Sequence, residues 1–222
     1  MTIPTVFNWL ARFGALRGEP AAYLLVLTAV FLLIAWDWRA GVAGLMVHYL
    51  LAWLLLADML DPRLAAVKLV AGLFVCLIFY WTARQVQPQP KAVEQRLRLG
   101  RLWLPASLPR RLILTPLMLL LVLWLAQNPA YALPGVPDSL GHLTLAVYGL
   151  AGLGLLGMAL TTDPWQAGLG LLLFLTGFDL FYTHLDHSVL VLALLAATQL
   201  LAAVAVAYLT QGQRAVAVVE AA

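Results

Sequence analysis

The sequence predicts an all-α, polytopic integral membrane protein with about seven transmembrane helices. Three observations lead there. Of 222 residues, 64% are hydrophobic and only 10% are charged, against about 25% charged in a soluble domain. The apolar residues gather in seven runs close to the roughly 20 residues that cross a bilayer core. Backbone groups in hydrocarbon must be hydrogen-bonded within the segment or within a closed barrel, and runs of this length read as helices. The net charge of +3 lies between the runs, where it reports membrane topology rather than nucleic-acid binding. Cys76 is the single cysteine of the chain and lies in an apolar stretch, which excludes an internal disulfide and a thiolate metal cluster. The first run ends Ala35-Trp36-Asp37-Trp38 with no small-residue cleavage site, so it reads as a span rather than a secretory signal.

The elements follow in order. Residues 1–20 form an N-terminal segment that sets Phe7, Trp9, Leu10 and Phe13 among Arg12 and Arg17. It reads as a short interfacial helix or as a frayed terminus, and the sequence does not choose. A first three-helix unit, 21–86, holds spans over Ala21–Trp36, Ala40–Leu60 and Leu64–Ala83, the first a little short. A basic loop covers 87–110. A linker helix over Leu112–Gln127, with Pro116 in its first turns, and an outer loop fill 111–140. A second three-helix unit, 141–212, holds spans over Leu143–Leu160, Ala167–Thr183 and Val189–Thr210, and a tail runs from 213 to 222.

Charge sets the orientation. The connection from Arg84 to Arg111 carries Arg84, Lys91, Arg96, Arg98, Arg101, Arg110 and Arg111. Pro88, Pro90, Pro105 and Pro109 keep it from being one continuous helix. The positive-inside rule places it in the cytoplasm, as expected for a cell inner membrane protein with its N-terminus outside and C-terminus inside. Arg12 and Arg17 then fall outside, against the rule, but the loop outweighs them. Such a loop also suits anionic lipid or a soluble partner.

The two units share a pattern. Trp38-Arg-Ala-Gly-Val-Ala-Gly-Leu45 opens the second span and Trp165-Gln-Ala-Gly-Leu-Gly-Leu-Leu172 the sixth, 127 residues later. Three spans plus one linker separate the copies, so both insert in the same direction. This is a possible parallel repeat rather than an inverted one. In this pairing Asp179 matches Ala52, and Gln199 matches Lys68 with one small gap.

Asp179 is the most informative residue. It sits in an almost wholly apolar run, where a carboxylate costs roughly 2.5–3.5 kcal/mol even on lenient insertion scales. An intramembrane acid is a functional-site hypothesis by default. The alternative, from its closeness to Asp186, is a hydrated position near the surface. His48, Lys68 and Gln199, with Thr176 and Tyr182 beside Asp179, complete the intramembrane polar set. Lys68 lies about one turn inside the third span, and snorkelling to the outer interface is its expected state. The alternative is an ion pair with Asp179, since both belong to the outer half of the bilayer. His48, nearer mid-depth, suits a proton relay or a packing role. One Asp and one His do not span a membrane, so ion conduction implies neighbouring subunits.

Other chemistries find little support. His184-Leu-Asp-His187 reads as a hydrated turn rather than a metal site. Only His48 is deep, which argues against haem held by paired histidines. The last span has no lysine for a Schiff base. No phosphate loop, nucleophile elbow or zinc-protease motif is present, so the chain is not expected to be catalytic alone or to bind a cofactor.

The last three spans, Leu143–Tyr208, carry a resemblance. A tight turn, Thr161-Thr-Asp-Pro-Trp-Gln166, is followed by Gly177-Phe178-Asp179 in the next helix, a short outer turn and the Ala-rich Leu194-Leu-Ala-Ala-Thr-Gln-Leu-Leu-Ala-Ala203. This layout resembles a family of small three-helix membrane proteins: the K component of respiratory complex I, the C component of multisubunit sodium/proton antiporters and the E component of hydrogenase-4-type complexes. The length and extra N-terminal spans are most similar to the last. The resemblance implies a proton- or sodium-translocating redox complex, with antiporter-like membrane subunits as partners, a site at Asp179, and no cofactor on this chain. Two positions depart from the family: its second-helix acid is usually Glu, and its third-helix acid is replaced by Gln199, which does not titrate. The resemblance therefore does not carry a complete proton path onto this chain. The alternatives are a structural or assembly subunit of another respiratory or photosynthetic membrane complex, and a free-standing small transporter.

Overall fold

A computed structural model describes residues 14–35, 37–86, 96–99, 102–105, 107–136, 140–186 and 188–220. The described residues form seven α-helices: α1 (Glu19–Ile34), α2 (Trp38–Leu56), α3 (Pro62–Val86), α4 (Ser107–Gln127), α5 (Gly141–Ala159), α6 (Pro164–Leu185) and α7 (Val189–Glu220). Six are long and apolar enough to cross a membrane, and α1, with 16 residues, is shorter. The chain is an all-α polytopic membrane protein. One departure lies in the basic connection, where β1 (Arg96–Leu99) and β2 (Leu102–Pro105) pair antiparallel, Arg96 opposite Pro105 and Leu99 opposite Leu102. The prolines that forbid a continuous helix there leave room for this hairpin. Residues 1–13, where an interfacial helix is one expectation, and His187 lie outside the described residues.

Aspartates begin the helices. Asp37 accepts the Arg39 N–H (3.1 Å) at the start of α2, and Asp61 accepts the Arg63 N–H (2.9 Å) at the start of α3. Each satisfies a donor that the first turn leaves without an intrahelical acceptor. Pro62 and Pro164 occupy first helical positions, where the missing N–H costs nothing.

The helices form two facing rows. α1 packs on α2 and α2 on α3; α5 packs on α6 and α6 on α7. Across the rows α1 lies against α5, α2 touches α6, and α3 lies against α7, while α4 covers α5 and the edge of α1. The first, second and third helices of one row thus meet the first, second and third of the other. The closest approach is between α5 and α6, where glycines remove side chains from the contact. A Cβ on Gly154 would sit 2.6 Å from the Phe174 N, and one on Gly170 would sit 2.8 Å from the Gly154 O. Leucines line the centre: Leu45, Leu143, Leu150, Leu153, Leu172, Leu173 and Leu180 are fully buried. Large apolar side chains also cover the outside, including Ile113, Leu117 and Leu120 of α4 and Leu190, Leu194 and Leu201 of α7. A bundle that is apolar inside and out belongs in lipid.

The basic end has a feature that the charge pattern did not show. Arg110 donates to the Leu160 O (2.9 Å) past the end of α5. Arg111, buried, donates to the Leu33 O of α1 (2.9 Å) and to Gln166 Oε1 at the start of α6. Both carbonyls lie at helix C-termini, which lack intrahelical donors and carry partial negative charge. The two arginines therefore join α1, α4, α5 and α6 as well as adding positive charge. Arg111→Met keeps much of the stem but loses the guanidinium. It is expected to lower stability by about 1–3 kcal/mol in equilibrium unfolding in mixed micelles, against no more than a few tenths for exposed Arg39→Met.

Candidate functional site

Lys68 and Asp179 form a buried ion pair. Lys68 Nζ lies 2.6 Å from Asp179 Oδ1, and each side chain is 5% exposed. Lys68 is six residues after Pro62 and Asp179 six residues before Leu185. Because α3 starts and α6 finishes at the same end of the bundle, both lie about 9 Å inside that end at 1.5 Å per residue. The expectation that Lys68 snorkels is therefore corrected. Its stem does not turn to the interface, because an acceptor lies within reach inside the bundle, and two buried opposite charges at contact distance stabilise each other more than a buried lysine alone. Asp179, likewise, is not a hydrated residue near the surface.

The pair sits where four helices converge. Tyr49, Ala52, Trp53 and Leu56 of α2, Lys68 and Leu69 of α3, Thr176 and Asp179 of α6, and Gln199 of α7 line one cavity of about 10 Å³. The α2 residues follow i, i+3, i+4, i+7 spacing, one stripe of the helix. Two pairs of positions that the 127-residue offset equates line it together: Tyr49 with Thr176, and Ala52 with Asp179. Lys68 and Gln199, matched through the gap, line it too.

Thr183, one turn beyond Asp179, is fully buried and its hydroxyl lies 3.5 Å from Asp179 Oδ1. The Thr176 hydroxyl donates to the Leu172 O (2.8 Å). Gln199 is buried. Lys68, Asp179, Gln199 and Thr176 are thus brought together as the sequence grouped them.

Two residues are not. Tyr182 is 38% exposed and packs on Phe178 at 5.7 Å between ring centroids, so it faces away from the cluster; Thr183 takes the place expected of it. His48 is fully buried but faces α1, with Nδ1 3.3 Å from Thr28 Oγ1. The single Thr28 hydroxyl proton goes to the Leu25 O (2.7 Å). In this contact His48 Nδ1 therefore donates, and Nε2 meets no hydrogen-bond partner among the described residues. His48 thus lies apart from the Lys68–Asp179 cluster, on the α1 side of α2.

At the same end of the bundle His184 Nε2 lies 2.9 Å from the Gly135 O, and Asp186 accepts the Ser188 N–H (2.9 Å). Among the described residues no three His, Cys, Asp or Glu side chains converge as metal ligands.

Tyr49, Trp53 and Thr183 are the site residues that sequence reasoning missed. Thr183 carries a usable signal, since it stands four residues from Asp179 on the same helix face. Tyr49 and Trp53 carry only their helical spacing, which any apolar core face also shows.

Chemically, the arrangement can hold one proton in two places. With the proton on Lys68 Nζ the pair is ionic; with it moved to Asp179 Oδ1 both groups are neutral. Low surrounding polarity penalises the ionic form and contact attraction offsets that penalty. Such a pair suits proton storage, and it equally suits clamping α3 to α6.

Compared with known proteins, the chain matches no family model, no curated protein and no solved structure.

Proposed function

We propose that the chain is a membrane subunit of a complex I-like, proton- or sodium-translocating redox assembly, hydrogenase-4-like or NADH dehydrogenase-like. In this reading the Lys68–Asp179 pair is its intramembrane ion-transfer element. The observation that carries the proposal is the 2.6 Å pair buried between α3 and α6. An ionisable pair inside a membrane bundle is costly and marks an ion pathway more readily than a packing solution. The family resemblance of α5–α7 adds the class of assembly.

The polar cluster occupies one half of the bundle. Between it and the basic end, the described spans carry no Asp, Glu, Lys or Arg until the helix ends are reached. Half a path is what one subunit would supply when larger antiporter-like subunits provide the remainder. A cavity of about 10 Å³ beside the pair has no room for a solute, which disfavours the free-standing transporter. The orientation follows from charge: the basic end in the cytoplasm, the Lys68–Asp179 end outside, in the cell inner membrane.

The second reading, a structural or assembly subunit, is favoured by one observation. The pair joins α3 to α6 near one end of the bundle, and Phe79 of α3 joins them again farther along, its ring 6.0 Å from the Trp165 ring, so the pair is one of two ties between these helices.

Two measurements separate the readings. Mild extraction of the native membrane and mass spectrometry of what co-purifies should recover antiporter-like membrane subunits and iron–sulfur proteins; recovery alone would sink the redox-pump reading. The double variant Lys68→Gln/Asp179→Asn then removes both charges while keeping polar side chains of similar size. Ion flux per assembled complex is expected to fall at least tenfold with assembly retained. Unchanged flux per complex assigns the pair to assembly.

A further inference from the structure

The cavity beside the ion pair is lined by residues that carry incompletely bonded polar atoms. Trp53 Nε1 is buried with no hydrogen-bond partner among the described residues, and Tyr49 Oη, buried near the Thr176 hydroxyl, makes no close hydrogen bond. The indole N–H is a donor only, and leaving it unbonded inside a bundle costs about 1–3 kcal/mol. Lys68 has three ammonium protons, of which one goes to Asp179 Oδ1. The contacts from Lys68 and Thr183 both reach Oδ1, which leaves the lone pairs of Oδ2 for another donor.

We infer that this cavity is a binding site for a single water molecule that bridges Trp53 and Tyr49 of α2 to the Lys68–Asp179 pair. Size and chemistry agree. About 10 Å³ is at the threshold for one water and excludes anything larger. Water supplies two acceptor lone pairs, for the Trp53 N–H and a Lys68 N–H, and two protons, for Asp179 Oδ2 and Tyr49 Oη. Both functions are required, because the residues that line the cavity include surplus donors, on Trp53 and Lys68, and a carboxylate, on Asp179. A sodium ion fits poorly: a cation gains nothing from an indole N–H and is repelled by the ammonium. Chloride is too large and meets the carboxylate.

The site follows from the repeat-like geometry. Ala52 lines the cavity together with Asp179, and its methyl leaves space that a larger side chain would fill. The bridged water gives the pair an exchange partner for its proton. That last consequence rests on the ion-transfer reading, whereas the site itself does not.

The test uses the full chain in nanodiscs, perdeuterated and labelled with ¹⁵N-tryptophan. Trp53→Phe assigns the Trp53 indole resonance, and magnetisation transfer from water to that N–H is then measured. A direct water contact at Trp53 is expected, lost in Ala52→Leu, which fills the cavity while leaving Lys68 and Tyr49 in place. Ala52→Val serves if the leucine variant does not fold. Absence of transfer in the wild-type chain overturns the site. Transfer that persists when the cavity is filled also overturns it, since the signal then arises by proton exchange through a neighbouring side chain. The readout does not depend on ion flux, so a water found at Trp53 together with normal flux in Lys68→Gln/Asp179→Asn would retain the site and remove the transfer role.

Discussion

Lys68→Met is expected to destabilise the bundle by about 3–5 kcal/mol, the cost of leaving a buried carboxylate without its partner. Asp179→Leu should cost about as much by stranding the ammonium. The double variant Lys68→Met/Asp179→Leu should recover most of the loss and come within about 1 kcal/mol of the wild type, or exceed it. The reason is the asymmetry of buried charge. The pair as a whole gains little over well-packed apolar side chains, because contact attraction is offset by desolvation. One charge alone has the desolvation cost and no attraction. Equilibrium unfolding of the three variants in mixed micelles measures the coupling directly. Costs that simply add would mean that the two charges do not meet in the folded protein. The comparison also bears on function: a buried pair that is neutral for stability inside an apolar bundle points to a reason other than stability.

The sequence makes the membrane architecture legible because it is written in long, redundant signals. Seven apolar runs, Asp and Pro at helix starts and a basic connection each restate the same topology, and all seven spans return as α1–α7 with shifted ends. Asp179 is legible for the opposite reason: one carboxylate in hydrocarbon is costly enough to stand out from the apolar run around it. Its partner is ambiguous from sequence alone. A lysine six residues inside a helix reaches either the interface or the interior, and the choice depends on whether an acid from a distant helix faces it. That is a tertiary fact, fixed by how α3 is rotated against α6. Tyr49 and Trp53 are illegible for a related reason, since aromatic residues on a buried stripe look alike whether they fill space or border a polar site. The short hairpin Arg96–Pro105 escapes notice because its apolar residues sit between arginines in a segment whose charges dominate the reading.

Gly154→Leu is expected to prevent folding of the second helical row, or to cost at least about 3 kcal/mol where a folded state survives. The position decides this, not the glycine as such. A Cβ there would lie 2.6 Å from the Phe174 N and 2.7 Å from the Gly170 O. Both are backbone atoms of α6, and a helix backbone cannot move aside as a flexible side chain can. Relief requires α5 and α6 to separate, which breaks the closest contact in the bundle. Gly170, facing Gly154 from the other side, should behave the same way. Gly212 of α7 has nothing within 4 Å of its notional Cβ, so Gly212→Ala should be neutral or stabilise by up to about 1 kcal/mol through helix propensity. Gly72 falls between. Its Cβ would meet the Tyr49 ring at 2.6 Å, and that ring borders the cavity beside Lys68. Gly72→Ala should therefore displace Tyr49 and disturb the polar cluster while leaving the α5–α6 contact whole. Thermal unfolding across Gly154→Leu, Gly170→Leu, Gly72→Ala and Gly212→Ala tests the order. Equal losses at all four would mean that the α5–α6 approach is looser than described. If Gly72→Ala alone alters the Trp53 indole signal, the effect at that glycine runs through Tyr49 to the site rather than through the stability of the bundle.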